Sequence, residues 1–252
     1  MDKNRKLIWT ENFTVRSFEM DLKGQATMQT ICRYIQEAAI NHAAHLKVDK
    51  YSMDNLNITW VLSRLQIRMD RYPFWKEPVT VETWPVSKDK HFAIRDYEIR
   101  DAKEKAVGVG TSSWMMIDLN TRRPIPLPSF MEGIENLKRG RALDSRFDRL
   151  PELEKAEFEK TFGVRHSDLD INLHVNYVHY IEWALEAVPR EILKNNQLYE
   201  LEVGFRAESV YGDSILSQCQ QAEESTYLHK IIRVSDNTEL TRLVSRWRPY
   251  KF

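Results

Sequence analysis

The chain has 252 residues, 42% of them hydrophobic, with 37 Lys and Arg against 37 Asp and Glu. That is enough apolar material for one large domain or two small ones, and it excludes a disordered chain. The balanced charge argues against a general nucleic-acid binder, while leaving room for a local basic patch that meets an acidic partner.

The first residues, Met1 to Lys6, lack an apolar signal core. No apolar run approaches the roughly 18 residues of a membrane helix, so no membrane contact is expected. The start reads as a mature cytoplasmic N-terminus. Apolar positions Met28, Ile31, Ile35 and Ala38, continuing to His42, recur at three and four, which predicts a helix from about Thr27 to His45. Cys32 lies on this pattern as a small buried hydrophobe. Cys32 and Cys219 fit a reducing compartment and have no metal-ligand spacing.

Strand signals follow. Val61, Ser63, Leu65, Ile67 and Met69 alternate with mostly polar neighbours; then come Val79 to Thr83, Phe92 to Ile99, and Val107 to Ile117. Asp101 to Lys105 sits where a hairpin turn belongs. Pro124, Pro126 and Pro128 cannot lie in a central strand. With the charged stretch behind them they mark a connection, partly helical around Phe130 to Leu137. A second helix is expected from near Val175, stepping through Val178, Ile181 and Leu185, and stopping before Pro189. Four more strands follow: Leu201 to Phe205, Ile215 to Cys219, Tyr227 to Ile231, and Leu240 to Arg246, with a turn at Ser235 to Asn237.

Each half thus reads as a strand, a long helix and several antiparallel strands, a duplicated unit. A long helix on a curved antiparallel sheet is the hotdog arrangement. The expected fold is α+β, a tandem (double) hotdog, with an N-terminal unit over 1–125, a connection over 126–157 and a C-terminal unit over 158–252.

One stretch concentrates chemistry. Asp170-Ile171-Asn172-Leu173-His174-Val175-Asn176-Tyr177 places a carboxylate, an amide and an imidazole at every second position, directly before the second helix. In an extended segment these three side chains face one small volume. Helix N-terminal N–H groups there can stabilise developing negative charge. The alternative is a polar turn in which Asn172 or Asp170 merely caps the helix.

The segments Asn57-Ile58-Thr59-Trp60-Val61-Leu62-Ser63-Arg64-Leu65-Gln66-Ile67, Asp70-Arg71-Tyr72-Pro73 and Val81-Glu82-Thr83-Trp84 resemble the first hotdog unit of acyl-acyl carrier protein (acyl-ACP) thioesterases. The Asp-x-Asn-x-His-Val-Asn segment resembles that family's catalytic loop. Phe205-Arg206-Ala207-Glu208-Ser209 resembles its later strand bearing a catalytic glutamate. The match runs over nearly the whole chain in the correct order. Plant members often carry a cysteine where Ser209 stands, and the stretch from Glu208 to Asp213 is one residue longer than the plant pattern. The lack of a transit peptide resembles a bacterial member.

The resemblance implies hydrolysis of fatty acyl-ACP thioesters to free fatty acid, ending chain elongation, with Asp170, Asn172, His174 and Glu208 as the site. A thioester has a good leaving group, so the enzyme needs a positioned water, a base and help for the oxyanion. Glu208 is the candidate base; the alternative is a surface carboxylate paired to Arg206. His174 can hold the water or donate to the carbonyl, Asn172 offers a neutral donor, and Asp170 orients another member or caps the helix. A nucleophilic Ser209 lacks a glycine-framed elbow. No metal and no cofactor are expected.

The acyl slot is expected in the first unit, from Trp60, Leu62, Ile31 and Ile35, each of which also fits a simple core role. The expected partner is acyl carrier protein bearing a fatty acyl chain, with candidate contacts Arg64, Arg68, Arg71, Arg122, Arg123, Lys138, Arg139 and Arg141. Oligomeric state is open between a monomer and a homodimer. The rivals are an acyl-CoA thioesterase of the same fold, a non-catalytic acyl-binding hotdog protein and a hotdog dehydratase.

Overall fold

The structure is a computed structural model that describes residues 6–134 and 139–250. It divides into two compact units, Met1–Arg146 and Phe147–Phe252. The division falls inside the connection expected over 126–157, nearer its C-terminal end.

In the first unit, β1 (Trp9–Thr14) leads through a one-turn 3-10 segment, Ser17–Glu19, to α1 (Met28–His45). Thr27 begins α1 because its hydroxyl accepts the Thr30 N–H at 3.1 Å, filling one of the donors every helix start leaves open. His42 and His45 close the last turn. Then come β2 (Ile58–Met69), β3 (Pro78–Lys88), β4 (Phe92–Arg100), β5 (Ala106–Asp118) and the two-residue β6 (Pro124–Ile125). The sheet order is β1-β3-β4-β5-β2, antiparallel throughout, with β6 added to β5. The β4–β5 hairpin closes at Asp101, whose carboxylate accepts the N–H groups of Lys103 and Lys105. Ser129–Met131 forms a 3-10 turn within the segment expected to be helical; 135–138 lie outside the described residues.

The second unit contains β7 (Phe158–Gly163), a 3-10 turn at His166–Asp168, α2 (Tyr177–Glu186), α3 (Arg190–Asn195), β8 (Asn196–Phe205), β9 (Ser214–Glu223), β10 (Thr226–Arg233) and β11 (Thr238–Pro249). Its sheet order is β7-β9-β10-β11-β8, again antiparallel. Strand for strand this is the order of the first unit, so the internal repeat is real. Asn176 caps α2 by accepting the Val178 N–H at 3.1 Å. The short α3, which periodicity did not indicate, begins after Pro189.

Each long helix lies against its own sheet: α1 meets β3 and β1, and α2 meets β7, β9, β10 and β11. The faces between are apolar. Ile31, Ile35 and Ala38 of α1 and Ile181 and Ala184 of α2 are buried, as are Val81, Ile99, Val203 and Ile231 of the strands. Phe13 stacks on Tyr34 in the first unit, and Phe162 stacks on Trp183 in the second. No helix among the described residues is long and apolar enough to cross a membrane.

Two buried histidines tie stability to pH. His42 Nδ1 faces Arg95 Nη1 at 2.9 Å, and His229 Nε2 lies 2.7 Å from Ser245 Oγ. Burial pushes both imidazoles down to about 3, with the Arg95 charge adding to the effect at His42. An unfolded histidine takes up its proton near about pH 6.5, so the folded pKa is the depressed one. The stability from neutral burial is then complete above about pH 6.5 and is lost as pH falls toward 3. Denaturant midpoints measured from pH 7 to 4 are expected to fall, and less steeply for His229→Gln. A wild-type midpoint independent of pH over that range would contradict this.

Candidate active site

The stretch from Asp170 to His174 is a tight turn, which corrects the expectation of an extended segment. Asp170 N–H donates to the His174 carbonyl at 2.8 Å, and Leu173 N–H donates back to the Asp170 carbonyl at 3.0 Å. The Asp170 carboxylate accepts the backbone N–H groups of Asn172 (2.7 Å) and His174 (3.4 Å). Its second oxygen lies 3.5 Å from Asn172 Nδ2. Leu173 takes a left-handed conformation, φ 64°, which costs a non-glycine residue about 1–2 kcal/mol. The turn therefore brings the three polar residues close together because one carboxylate folds it around itself.

Glu208 arrives from a strap, 206–213, that joins β8 to β9. The two pieces are tied where Val175 N–H donates to the Ser209 carbonyl at 3.0 Å. This sets His174 Nε2 3.4 Å from Glu208 Oε2. The His174 and Glu208 side chains keep 26% and 39% of their exposure, so a substrate reaches both from solvent. Asn172 is exposed, two residues before His174 in the same turn. All four expected residues are thus linked in one chain of contacts, Asn172 and His174 to Asp170, and His174 to Glu208. Arg206 pairs with Glu239 at 3.0 Å.

Ser209 is fully buried, and its hydroxyl donates to Asp213 Oδ2 at 2.7 Å. Its N–H donates to the Tyr180 hydroxyl at 2.9 Å, and burial pushes the Tyr180 phenol upward, so it stays protonated. The hydroxyl is spent on Asp213 rather than aimed at His174, which argues against a serine nucleophile. Among the described residues no group of three or more His, Cys, Asp or Glu is placed to hold a metal ion. A shallow depression elsewhere on the unit, lined by Tyr199, Glu223, Thr226 and Trp247, contains none of the four residues.

The first unit repeats this scaffold with other side chains. Asp21 N–H donates to the Gln25 carbonyl at 2.8 Å, and the Asp21 carboxylate accepts the N–H groups of Lys23 and Gln25. Gly24, φ 75°, stands where Leu173 stands. Ala26 N–H donates to the Pro73 carbonyl at 2.8 Å, so Tyr72 holds the position of Glu208. Lys23 and Gln25 replace Asn172 and His174.

The expected slot residues lie in the first unit. Ile31 and Ile35 are buried on α1 and Leu62 is buried on β2. Trp60 is half-buried; its Nε1 donates to the Val48 carbonyl at 2.8 Å, and its ring packs on the cluster of Leu46, Val48, Met53, Ile58 and Met116. Three of the expected basic contacts are engaged internally. Arg71 pairs with Glu77 and Asp101, Arg139 pairs with Glu82 over the Trp84 ring, and Arg141 pairs with buried Asp96. Arg64 is half-buried. Arg68, Arg122 and Arg123 are exposed, and Lys138 lies outside the described residues.

Sequence reasoning missed Tyr180, Asp213 and Arg233, which hold the strap. Their partners are distant in sequence, and only the repeat of Asp21 to Thr27 in Asp170 to Asn176 was there to be read.

The acyl-ACP thioesterase N-terminal domain matches residues 6–132, and the acyl-ACP thioesterase C-terminal domain matches 152–249. The chain is 31% identical to a palmitoyl-acyl carrier protein thioesterase of Gossypium hirsutum, over 96% of this chain and 64% of that protein. It is 30% identical to an oleoyl-acyl carrier protein thioesterase of Arabidopsis thaliana, over 95% of this chain and 76% of that one. The chain thus spans about two thirds to three quarters of these relatives. The crystal structure of an acyl-ACP thioesterase from Bacteroides thetaiotaomicron superposes with a TM-score of 0.86 at 27% identity, covering 96% of this chain and 98% of that one. A 12:0-ACP thioesterase from Umbellularia californica shares the fold with a TM-score of 0.89 at 23% identity, over 97% and 98% of the two chains. With both family domains matched in order and a relative at 30% identity covered over three quarters of its length, the chain belongs to the acyl-ACP thioesterase family.

Proposed function

We propose that this protein hydrolyses fatty acyl-ACP thioesters, using water activated by Glu208. The observation that carries the reading is the convergence of Glu208 on His174 at 3.4 Å, beside a turn that presents Asn172. Glu208 takes a proton from a water whose oxygen bonds to the acyl carbon. Asn172 and His174 stabilise the oxygen that becomes negative. The carbon–sulfur bond then breaks, the carrier thiolate takes the proton, and free fatty acid leaves. Asp170 acts through the turn it folds. A pure acyl-binding module has no use for a solvent-reachable carboxylate, imidazole and amide held together.

A general acid or base contributes about 10²–10⁴ in rate. Asn172→Ala, His174→Ala and Glu208→Ala are each expected to lose at least about a hundredfold in kcat while thermal unfolding stays cooperative. Near-normal turnover in any two of them would sink this assignment.

Ser209→Ala loses one hydrogen bond, about 1 kcal/mol of stability, and is expected to keep kcat within about tenfold because water attacks directly. Mass spectrometry of the enzyme quenched during turnover should find no acyl group on Ser209; finding one there would overturn direct attack.

For the carrier, Arg68, Arg122 and Arg123 are the contacts we favour among the basic residues, since all three are exposed to solvent. Charge reversal at two of the three should raise KM for acyl-ACP several-fold, with the effect shrinking in high salt. KM for a small thioester should not move. Equal changes on both substrates would mean these arginines form an ordinary solvated surface. The acyl slot we place in the first unit near Trp60 and Leu62, because Ile31 and Ile35 are buried from solvent on α1, where added bulk costs about 1–3 kcal/mol of stability.

A further inference from the structure

The strap that carries Glu208 has little regular structure of its own. Between β8 and β9, Arg206 and Ala207 donate to the Leu240 carbonyl, and Gly212 donates to the Val164 carbonyl. At Glu208 itself the backbone is held by a side chain from another strand. Arg233, the last residue of β10, donates from Nη1 to the Glu208 carbonyl at 2.9 Å. Its other edge is fixed: Nε and Nη2 fork onto Asp236 at 3.1 and 2.7 Å. The same Nη1 stands 3.9 Å from Asp213, the carboxylate that receives the Ser209 hydroxyl and the Val210 N–H. A charged donor on a neutral carbonyl makes a stronger bond than a neutral one, and a planar fork anchored on one side has little freedom left on the other.

The first unit shows that this place in the fold takes a guanidinium. There Arg71 reaches the Tyr72 carbonyl at 3.5 Å and forks onto Glu77 at 2.9 and 2.5 Å. Tyr72 and Glu77 hold the positions of Glu208 and Asp213: Phe74 N–H donates to Glu77 as Val210 N–H donates to Asp213. Both guanidiniums also reach an aspartate near the β4–β5 or β10–β11 hairpin, Asp101 or Asp236. Yet Arg71 comes from the strap itself and Arg233 from a neighbouring strand. The clamp is kept while its source changes. Only in the second unit does the clamped residue carry a carboxylate that meets an imidazole.

We infer that Arg233 is a positioning residue for the reaction: through the Glu208 carbonyl it fixes the Glu208 carboxylate against His174. The inference rests on the hydrolytic reading of Glu208 above. A misplacement of about 1 Å at a catalytic group costs on the order of 100-fold, and the strap gives Glu208 that freedom once the clamp is gone.

The test is a double-mutant cycle in the full chain: Arg233→Met, Glu208→Gln and the pair, with Arg233→Lys alongside. kcat and KM are measured on a small acyl thioester, and thermal midpoints on every variant. Arg233→Met should lower kcat on the order of 10- to 100-fold with KM within about twofold. In the Glu208→Gln background it should cost nothing further. Arg233→Lys should recover part of the loss, because an ammonium still donates to the carbonyl. If Arg233→Met does not fold, Arg233→Lys in the two backgrounds carries the same comparison. A kcat within twofold of wild type, or losses that multiply in the double variant, would overturn the positioning role alone. Wild-type kcat in Glu208→Gln would instead overturn the hydrolytic reading, and the positioning role with it.

Discussion

The site depends on one backbone hydrogen bond, from Val175 N–H to the Ser209 carbonyl at 3.0 Å. It joins the turn that ends in His174 to the strap that bears Glu208. Its net worth is no more than about 1 kcal/mol, but it fixes register rather than stability. A slip of one residue on either side would turn Glu208 or His174 away from the other, as in any strand pairing. The Asp170 carboxylate, the Asn176 cap and the Tyr180 hydroxyl all act on groups next to this bond, so each supports the same register.

The first unit serves as an internal comparison. Asp21 folds the same turn, and Ala26 N–H to the Pro73 carbonyl makes the same tie at 2.8 Å. Lys23, Gln25 and Tyr72 stand where the second unit has Asn172, His174 and Glu208. The fold therefore needs the turn, the tie and the clamp. The amide, imidazole and carboxylate are additions that the fold does not need, which is the physical argument for a chemical role. It also separates Asp170 from the other three, since its counterpart survives where no chemistry is expected.

Much of this was legible in the sequence. Period-3.6 stepping located α1 and α2, and period-2 alternation located the long strands, because both patterns follow from burying one face. The short α3 escaped because its six residues bury none of their side chains. Asp170, Asn172, His174 and Glu208 were singled out, but spacing placed the first three in an extended segment. The left-handed Leu173 cannot be read from residue types, since a leucine there is against preference. Arg71, Arg139 and Arg141 looked like surface cations because their acidic partners Asp101 at the hairpin, Glu82 on β3 and Asp96 on β4 come close only once the sheet has formed.

The measurement that bears most directly on this account is a paired time course of free fatty acid and free carrier thiol from a panel of acyl-ACPs of differing chain length, with the matching acyl-CoAs in parallel. Wild-type protein should release acid and thiol in equal amounts, faster from the ACP substrates, while a folded Glu208→Gln protein releases neither above background. No release by the wild type from any substrate, or equal release by Glu208→Gln, would contradict it.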